Sequence, residues 1–279
     1  MTNYEFDPSK AYAAIRDQWT AWANAVGAKR FVFGVSGGKD STVIAVLAAR
    51  IFGAENCYGV MMPNDKQADI EDSVTVINST GIKCCYCNIE DVYGTARKMV
   101  ENAVKGPISS TARINLAPRL RMATLYAVAQ TVGGFVINTD NLSERVLGWS
   151  TLWGDSVGDF APIQELTKTE VVKLGEWLGI PDALIHKVPS DGLCGQSDEE
   201  KMGISYADLD DLIRAPVGNF NKVFGGLQGD FASETDTIIG YYRRSQYKRD
   251  AIHLPGVKFD LPFNLNENLK WKENYKENN

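Results

Sequence analysis

An α/β fold built on a doubly wound parallel sheet is predicted by three observations. Short apolar runs of strand length recur at Phe31–Val35, Cys57–Met62, Lys83–Ile89 and Phe135–Asn138. Stretches with helical spacing separate them, and the first run passes directly into the glycine turn Ser36-Gly37-Gly38 at the head of a helix. Strands that alternate with helices at this spacing lie parallel, with both faces covered and ligands gathered at their carboxyl ends.

Each element has its own signal. Asp7-Pro8 starts a helix over Ser9–Val26, whose apolar positions Ala11, Ile15, Trp19, Trp22 and Val26 fall on one face before Gly27 stops it. Phe31, Val32, Phe33 and Val35 form the first strand, and a helix runs from Ser41 to Phe52. Cys57–Met62 is the second strand, Asp69–Thr80 a helix, Lys83–Ile89 the third strand and Asp91–Val104 a helix. Gly106–Thr111 reads as a break. Ile114–Gln130 is a long apolar helix, suited to a core or a dimer face, and Gly133-Gly134 ends it before the fourth strand. Gly154–Gly158 reads as a mobile loop, Lys168–Leu178 as a helix and Pro189–Gly203 as a second loop or lid. Helices follow at Tyr206–Ile213, Phe220–Phe224 and Glu234–Tyr247. A single domain over 1–265 is expected, with a frayed, Lys-, Glu- and Asn-rich tail over 266–279.

Composition narrows the function. At 279 residues, 44% hydrophobic and 23% charged, the chain has the make-up of a soluble globular protein. It shows neither an apolar stretch of membrane-spanning length nor a signal peptide, so the expected setting is cytoplasmic, without a membrane partner. A net charge of −6 argues against a nucleic-acid footprint. Anionic ligands must then be met by local clusters such as Arg119/Arg121, Arg243/Arg244 and Lys248/Arg249. Cys84, Cys85 and Cys87 include a C-x-x-C, but no second metal-ligand pair follows, and they read as buried strand cysteines. His186 and His253 read as structural.

The chemistry starts at Gly34-Val35-Ser36-Gly37-Gly38-Lys39-Asp40-Ser41. Glycines let the backbone approach a ligand, and a helix N-terminus adds partial positive charge, so the turn suits phosphate. Asp40 is the odd member. A carboxylate repels phosphate unless a cation lies between them, which makes Asp40 a candidate Mg²⁺ ligand. The string is not a Walker A loop, because Phe33 replaces its first glycine and Asp40 follows Lys39 where Ser or Thr belongs. It resembles the SGGxDS loop of the N-type ATP pyrophosphatases.

Further strings extend that likeness: Asn115-Leu-Ala-Pro-Arg119-Leu-Arg121, Asn138-Thr139-Asp140-Asn-Leu-Ser-Glu144, Gly154-Asp155, Leu166-Thr167-Lys168, Pro189-Ser190-Asp-Gly and Tyr247-Lys248-Arg249. In this order they resemble the ammonia-dependent NAD⁺ synthetases, from about Ala13 to Pro255. The resemblance implies an adenine-nucleotide α-hydrolase-like, Rossmann-like fold and a homodimer. It implies a ligase that adenylates deamido-NAD⁺ with Mg-ATP, releases pyrophosphate, and passes the acyl group to ammonia. It assigns ATP to Gly34–Ser41 (Lys39 without a catalytic role), Thr139, Lys168 and Ser190. It assigns Mg²⁺ to Asp40 and Glu144, and deamido-NAD⁺ to Arg119, Asp159, Tyr247 and Lys248, the last two reaching it from a partner subunit. Asp155, Asp40 and Lys168 would carry the catalytic roles, Asp155 by orienting the acyl group or ammonia.

Two positions depart from the pattern. Leu152 stands where many members have a substrate-binding lysine, and Tyr247 where they have histidine. Trp149–Asp155 is closer to the synthetase domain of glutamine-dependent members, but the chain has no room for their amidase domain. Three other readings use the same loop: a tRNA sulfur transferase, which needs a basic face and a working cysteine pair; a GMP synthetase, whose dimerisation domain and purine-site strings are not evident; and a non-catalytic nucleotide sensor, which needs no magnesium carboxylates.

Overall fold

The parallel sheet is present in the computed structural model, which describes residues 4–65, 70–187, 198–216 and 231–267. Strands β1 (Phe31–Gly34), β2 (Cys57–Met61), β3 (Lys83–Tyr86) and β4 (Phe135–Val136) lie in the order β3-β2-β1-β4, every pair parallel. Phe31 is paired with Cys57 on one side and with Phe135 on the other. The chain therefore winds outward from β1 in both directions, and a crevice opens between the carboxyl ends of β1 and β4, where such sheets bind ligands. Beyond β4 the pairing continues through single bridges, Ile137 to Phe160 and Ala161 to Gly256.

Alternation along β1 explains why its sequence is apolar without interruption. Phe31, Phe33 and Val35 face one core and Val32 faces another, and all four are buried. The first core is closed by α1 (Pro8–Val26), α2 (Lys39–Phe52) and α7 (Lys168–Trp177). Helix α1 begins where Asp7 accepts hydrogen bonds from the Ser9 and Lys10 amides at 3.0 and 3.2 Å. It buries Ala11, Ile15, Trp19 and Ala23, one residue per turn. Trp19 packs at 5.2–5.9 Å from the rings of Phe31, Phe52 and Phe160. Truncating such a side chain to Ala costs about 3–5 kcal/mol.

The opposite face is covered by α4 (Glu90–Val104) and α5 (Ser110–Val132), while α3 (Ile70–Thr80) packs against α2. Helix α5 begins earlier than its apolar pattern suggests, because Ser109 caps it by accepting from the Ala112 amide at 3.2 Å. The predicted break therefore ends inside the helix. Only Ala117 and Ala129 of its 23 residues are buried. A smaller apolar cluster joins α6 (Leu142–Leu147), α9 (Asp198–Met202), α10 (Tyr206–Arg214) and α11 (Phe231–Arg244) beside the crevice. Short helices α8 (Asp182–Ile185) and α12 (Gln246–Ala251) are also present among the described residues. Among the described residues no helix is long and apolar enough to cross a membrane.

Three expectations need correction. Residues 154–158 are not a loose loop: Gly154 N–H donates to Thr151 O at 2.9 Å, and the Asn138 side-chain amide holds the carbonyls of Asp155 and Val157 at 3.0 and 3.1 Å. The cysteines of β3 are not buried, since β3 is the sheet edge; Cys84 is exposed and Cys85 and Cys87 are half-buried. Part of the expected second loop is the helix α9. The rest of that loop, the helix expected at Phe220–Phe224 and the tail from 268 onward lie outside the described residues.

Candidate active site

The turn after β1 is shaped to leave amides free for an anion. Gly37 takes φ +78°, in the left-handed region, and lets the chain double back into α2. Gly38 is the N-cap and offers no side-chain cap, so the first N–H groups of α2 are not taken up by a capping side chain. The hydroxyls of Ser41 and Thr42 brace the turn by donating to Gly38 O at 2.9 and 2.8 Å, and Ser36 Oγ lies 3.2 Å from Ser41 Oγ.

Two more helix heads converge on the same point. Helix α6 opens with a reciprocal box in which Asn141 Oδ1 accepts from the Glu144 amide at 3.0 Å and Glu144 reaches back to the Asn141 amide. The Asn141 side-chain amide also donates to Asp40 Oδ1 at 3.1 Å, tying α6 to α2. Helix α7 opens with a similar box between Thr167 and Glu170. Its next two amides are held from outside: the Lys168 amide donates to Ser143 Oγ at 2.9 Å and the Thr169 amide to Asp210 Oδ2 at 2.8 Å. Ser143 in turn donates to Asp210. Asn141 is legible as the cap of α6, three residues before Glu144, but its bond to Asp40 and the roles of Ser143 and Asp210 escape a sequence reading because they reach neighbours far along the chain.

Lys168 is the result of this convergence. Its ammonium donates to Glu144 Oε1 at 2.9 Å and to Asp40, and the side chain is buried. Burial works against the ammonium, but Asp40 and Glu144 outweigh it and raise its pKa well above the ordinary lysine value. Burial also pushes the Glu144 carboxyl up, to about 7, with Lys168 opposing and Asp40 adding to the rise. Two hard carboxylate donors thus meet at one cation with charge left over, which fits a Mg²⁺ ion that also takes phosphate oxygens. Among the described residues no third metal-ligating side chain joins them, so protein donors alone do not complete a coordination shell.

These groups line a cavity of about 800 Å³, in the upper part of the range of small-molecule sites. Of the residues singled out from sequence, Gly34, Val35, Ser36, Gly38, Lys39, Asp40, Ser41, Thr139, Glu144, Asp155, Lys168, Tyr247 and Lys248 line it. Tyr247 and Lys248 do so from the same chain as the phosphate turn, rather than only from a partner; Lys248 donates to the carbonyls of Gly148, at 2.7 Å, and Ser150. Asp155 opens onto the cavity but is ringed by protein, and desolvation raises its carboxyl, with its bond from the Thr151 amide, Lys248 and Arg121 pulling the other way.

Other assignments fall outside the walls. Arg119 is exposed and holds Leu152 O at 3.3 Å, while Arg121, two residues on, lines the cavity and donates to Met62 O at 3.0 Å. Asp159 accepts from the Val136 amide at 2.7 Å beneath the sheet end. Gly37 shapes the turn without lining the cavity, and Ser190 lies outside the described residues. Asp140, which the sequence reading left without a role, is 7% exposed and lines the cavity between Asp155 and Glu144.

A family profile described as NAD synthase matches residues 11–252. The NH3-dependent NAD⁺ synthetase of Carboxydothermus hydrogenoformans is 34% identical over 255 residues, 91% of this chain and 98% of that protein. Among solved structures, the NMN synthetase of Francisella tularensis matches with a TM-score of 0.77 and 30% identity, over 90% of this chain and 99% of the other. The NH3-dependent NAD synthetase of Campylobacter jejuni subsp. jejuni matches with a TM-score of 0.72 and 23% identity, over 90% and 99%, a likeness of fold.

Proposed function

Because this chain belongs to the NAD synthase family, we propose that it amidates deamido-NAD⁺ with ammonia at the expense of ATP, giving NAD⁺, AMP and pyrophosphate. The observation that carries the reading is the meeting of Asp40, Glu144 and Lys168 at the mouth of a helix whose first amides are free of any side-chain cap. In the first step the nicotinate carboxylate attacks the α-phosphorus of ATP and pyrophosphate leaves with the electron pair. Ammonia then attacks the acyl carbon of the adenylate, and AMP leaves. Neither step needs a nucleophilic side chain, so catalysis rests on positioning and charge.

The residues divide the work. Residues 34–41 and Thr139 hold ATP, with Ser190 assigned alongside them on the family pattern. Lys168 neutralises phosphate charge and orients Asp40 and Glu144. Those two carboxylates would hold Mg²⁺, which when bound neutralises the phosphates as pyrophosphate departs. Asp155, beside Lys248 and Arg121, orients the acyl group, and Tyr247 and Lys248 bind the substrate within the cavity. Arg119 and Asp159, outside it, are assigned to the distal part of deamido-NAD⁺.

A homodimer accounts for that placement and for the exposed apolar side chains Val92, Met99 and Val104 on α4 and Ile114 on α5. We place the enzyme in the cytoplasm, with its cosubstrate ATP. The tRNA reading loses ground to the net charge of −6 and to the family match, and the sensor reading to the retained carboxylates.

One observation favours a second reading, that the substrate is a mononucleotide and the product NMN. The NMN synthetase of Francisella tularensis exceeds the Campylobacter jejuni protein in both identity and TM-score. One experiment tests both. The protein receives Mg-ATP and ammonium with either deamido-NAD⁺ or nicotinate mononucleotide, and amide, AMP and pyrophosphate are counted. Equal yields with deamido-NAD⁺ are expected; turnover of the mononucleotide alone selects the second reading, and no turnover of either overturns both.

A further inference from the structure

One face of α10 grips the head of α7. Tyr206, Asp210 and Arg214 are spaced four residues apart, so they share that face, and they address three consecutive residues of α7. Arg214 forks the Glu170 carboxylate with two bonds of 2.8 Å, and Asp210 accepts from the Thr169 amide at 2.8 Å. Tyr206 takes Lys168, whose ammonium lies 5.3 Å from the centre of the phenol ring while it donates to Asp40 and Glu144.

The third grip is incomplete. Tyr206 is 3% exposed, and among the described residues its hydroxyl has no hydrogen-bond partner. A buried hydroxyl left unpaired lowers stability, and the apolar cluster around the ring, which includes Val146, Leu147, Met202 and Leu209, would pack a phenylalanine equally well. The hydroxyl therefore gains nothing in the ligand-free protein. Burial holds it as a neutral phenol, with Glu144, Asp198 and Asp40 adding to that effect and Lys168 opposing it, so it can both donate and accept. Tyr206 does not line the cavity, whereas Lys168, Asp40 and Glu144 do. Any part it has in the reaction runs through those neighbours.

We propose that Tyr206 positions Lys168 for the nucleotide: its hydroxyl accepts a hydrogen bond from the ammonium once Asp40 and Glu144 turn to Mg-ATP. The inference rests on the reading of this cavity as a site for Mg-ATP. An ammonium group has three N–H donors. In the ligand-free protein two of them go to the carboxylates, and the ring lies beside the group. When the carboxylates turn to the nucleotide and its cation, the phenol oxygen is the buried acceptor at hand, and the lysine stays aimed at the phosphates.

Tyr206→Phe tests this, because it removes the hydroxyl and keeps the ring. The ligand-free variant is expected to melt at or above the temperature of the parent, since an unpaired buried group is gone. Calorimetry should show Mg-ATP bound about tenfold more weakly, the worth of one hydrogen bond to a charged group, although the residue does not touch the cavity. A ligand-free variant that melts several degrees below the parent means that the hydroxyl is already bonded there and serves structure only, which overturns the proposal. Mg-ATP affinity within about twofold of the parent overturns it as well. Neither measurement needs turnover. A parent that binds Mg-ATP without amidating deamido-NAD⁺ or nicotinate mononucleotide overturns the amidation reading alone, and a parent that does not bind Mg-ATP overturns both.

Discussion

Lys168 Nζ lies 2.9 Å from Glu144 Oε1, although the two side chains start from the heads of different helices, α7 and α6. The pair also takes in Asp40 from a third helix head, so one buried ammonium holds two carboxylates in register with the phosphate turn. Removing one partner of a buried ion pair strands the other charges. Lys168→Met is therefore expected to cost about 3–5 kcal/mol in urea denaturation and to abolish turnover. Adding Glu144→Gln to Lys168→Met should recover part of the stability, because one stranded charge is gone; a double variant no more stable than the single one refutes the account.

The two carboxylates also set the metal requirement. Chelation of Mg²⁺ should stop AMP release, and Glu144→Gln should raise the Mg²⁺ concentration needed for half-maximal rate. Asp40→Asn, which loses both the Lys168 contact and a metal donor, should abolish AMP formation without unfolding the chain. Full turnover in either variant removes the metal role.

Asp210 makes no contact with the cavity, yet it fixes the register of α7 by accepting from Ser143 and from the Thr169 amide. Asp210→Ala leaves a buried amide without an acceptor, a loss of about 1–3 kcal/mol. It should lower kcat more than it raises the KM for ATP, since Lys168 shifts while the phosphate turn stays. Asp210→Asn keeps an acceptor for Thr169 and should restore most of both quantities.

Which of these features a sequence can disclose follows from how local they are. The phosphate turn is legible because strand, glycines and helix head are contiguous, and β1 and β2 appear as apolar runs because both faces of the sheet are covered there. Asp40 is legible as the odd acid in that turn, but Glu144 and Lys168 only through the family resemblance, since the three meet through tertiary packing. Ser143 and Asp210 carry no motif that announces their partners, and Asp140 differs from a solvated acid only by its burial. The cysteines of β3 mislead because a strand pattern does not say which strand forms the edge.

Gly148 tests the packing at the turn after α6. It takes φ +68°, and a Cβ placed there would lie 2.1 Å from Ser245 Cβ. Gly148→Ala must shift α12 or the turn after α6, at about 1–3 kcal/mol for the overpacking and about 1 kcal/mol or more for the left-handed backbone. The Gly148 carbonyl then moves off Lys248. Loss of several degrees in melting temperature and a raised KM for the acid substrate are expected; a variant as stable as the parent contradicts the close approach.

Stability should fall as pH rises through neutrality. The Glu144 carboxyl is raised from the ordinary 4.5 to about 7 and that of Asp210 from 3.8 to about 6, in both cases chiefly by burial. In the window between each ordinary value and its raised one, the folded state binds more protons than the unfolded state. The free energy of unfolding therefore decreases with pH across it, and the decrease is complete above about 7 for Glu144. Lys168, raised above 10.5, does not titrate in this range. The ligand-free protein should show a higher melting temperature near pH 5 than near pH 8, and Glu144→Gln should flatten the slope between them. Saturating Mg-ATP should flatten it as well, because a bound cation favours the ionised carboxylate. A melting temperature that climbs from pH 5 to pH 8, or a slope untouched by Glu144→Gln, rules out Glu144 as the group responsible.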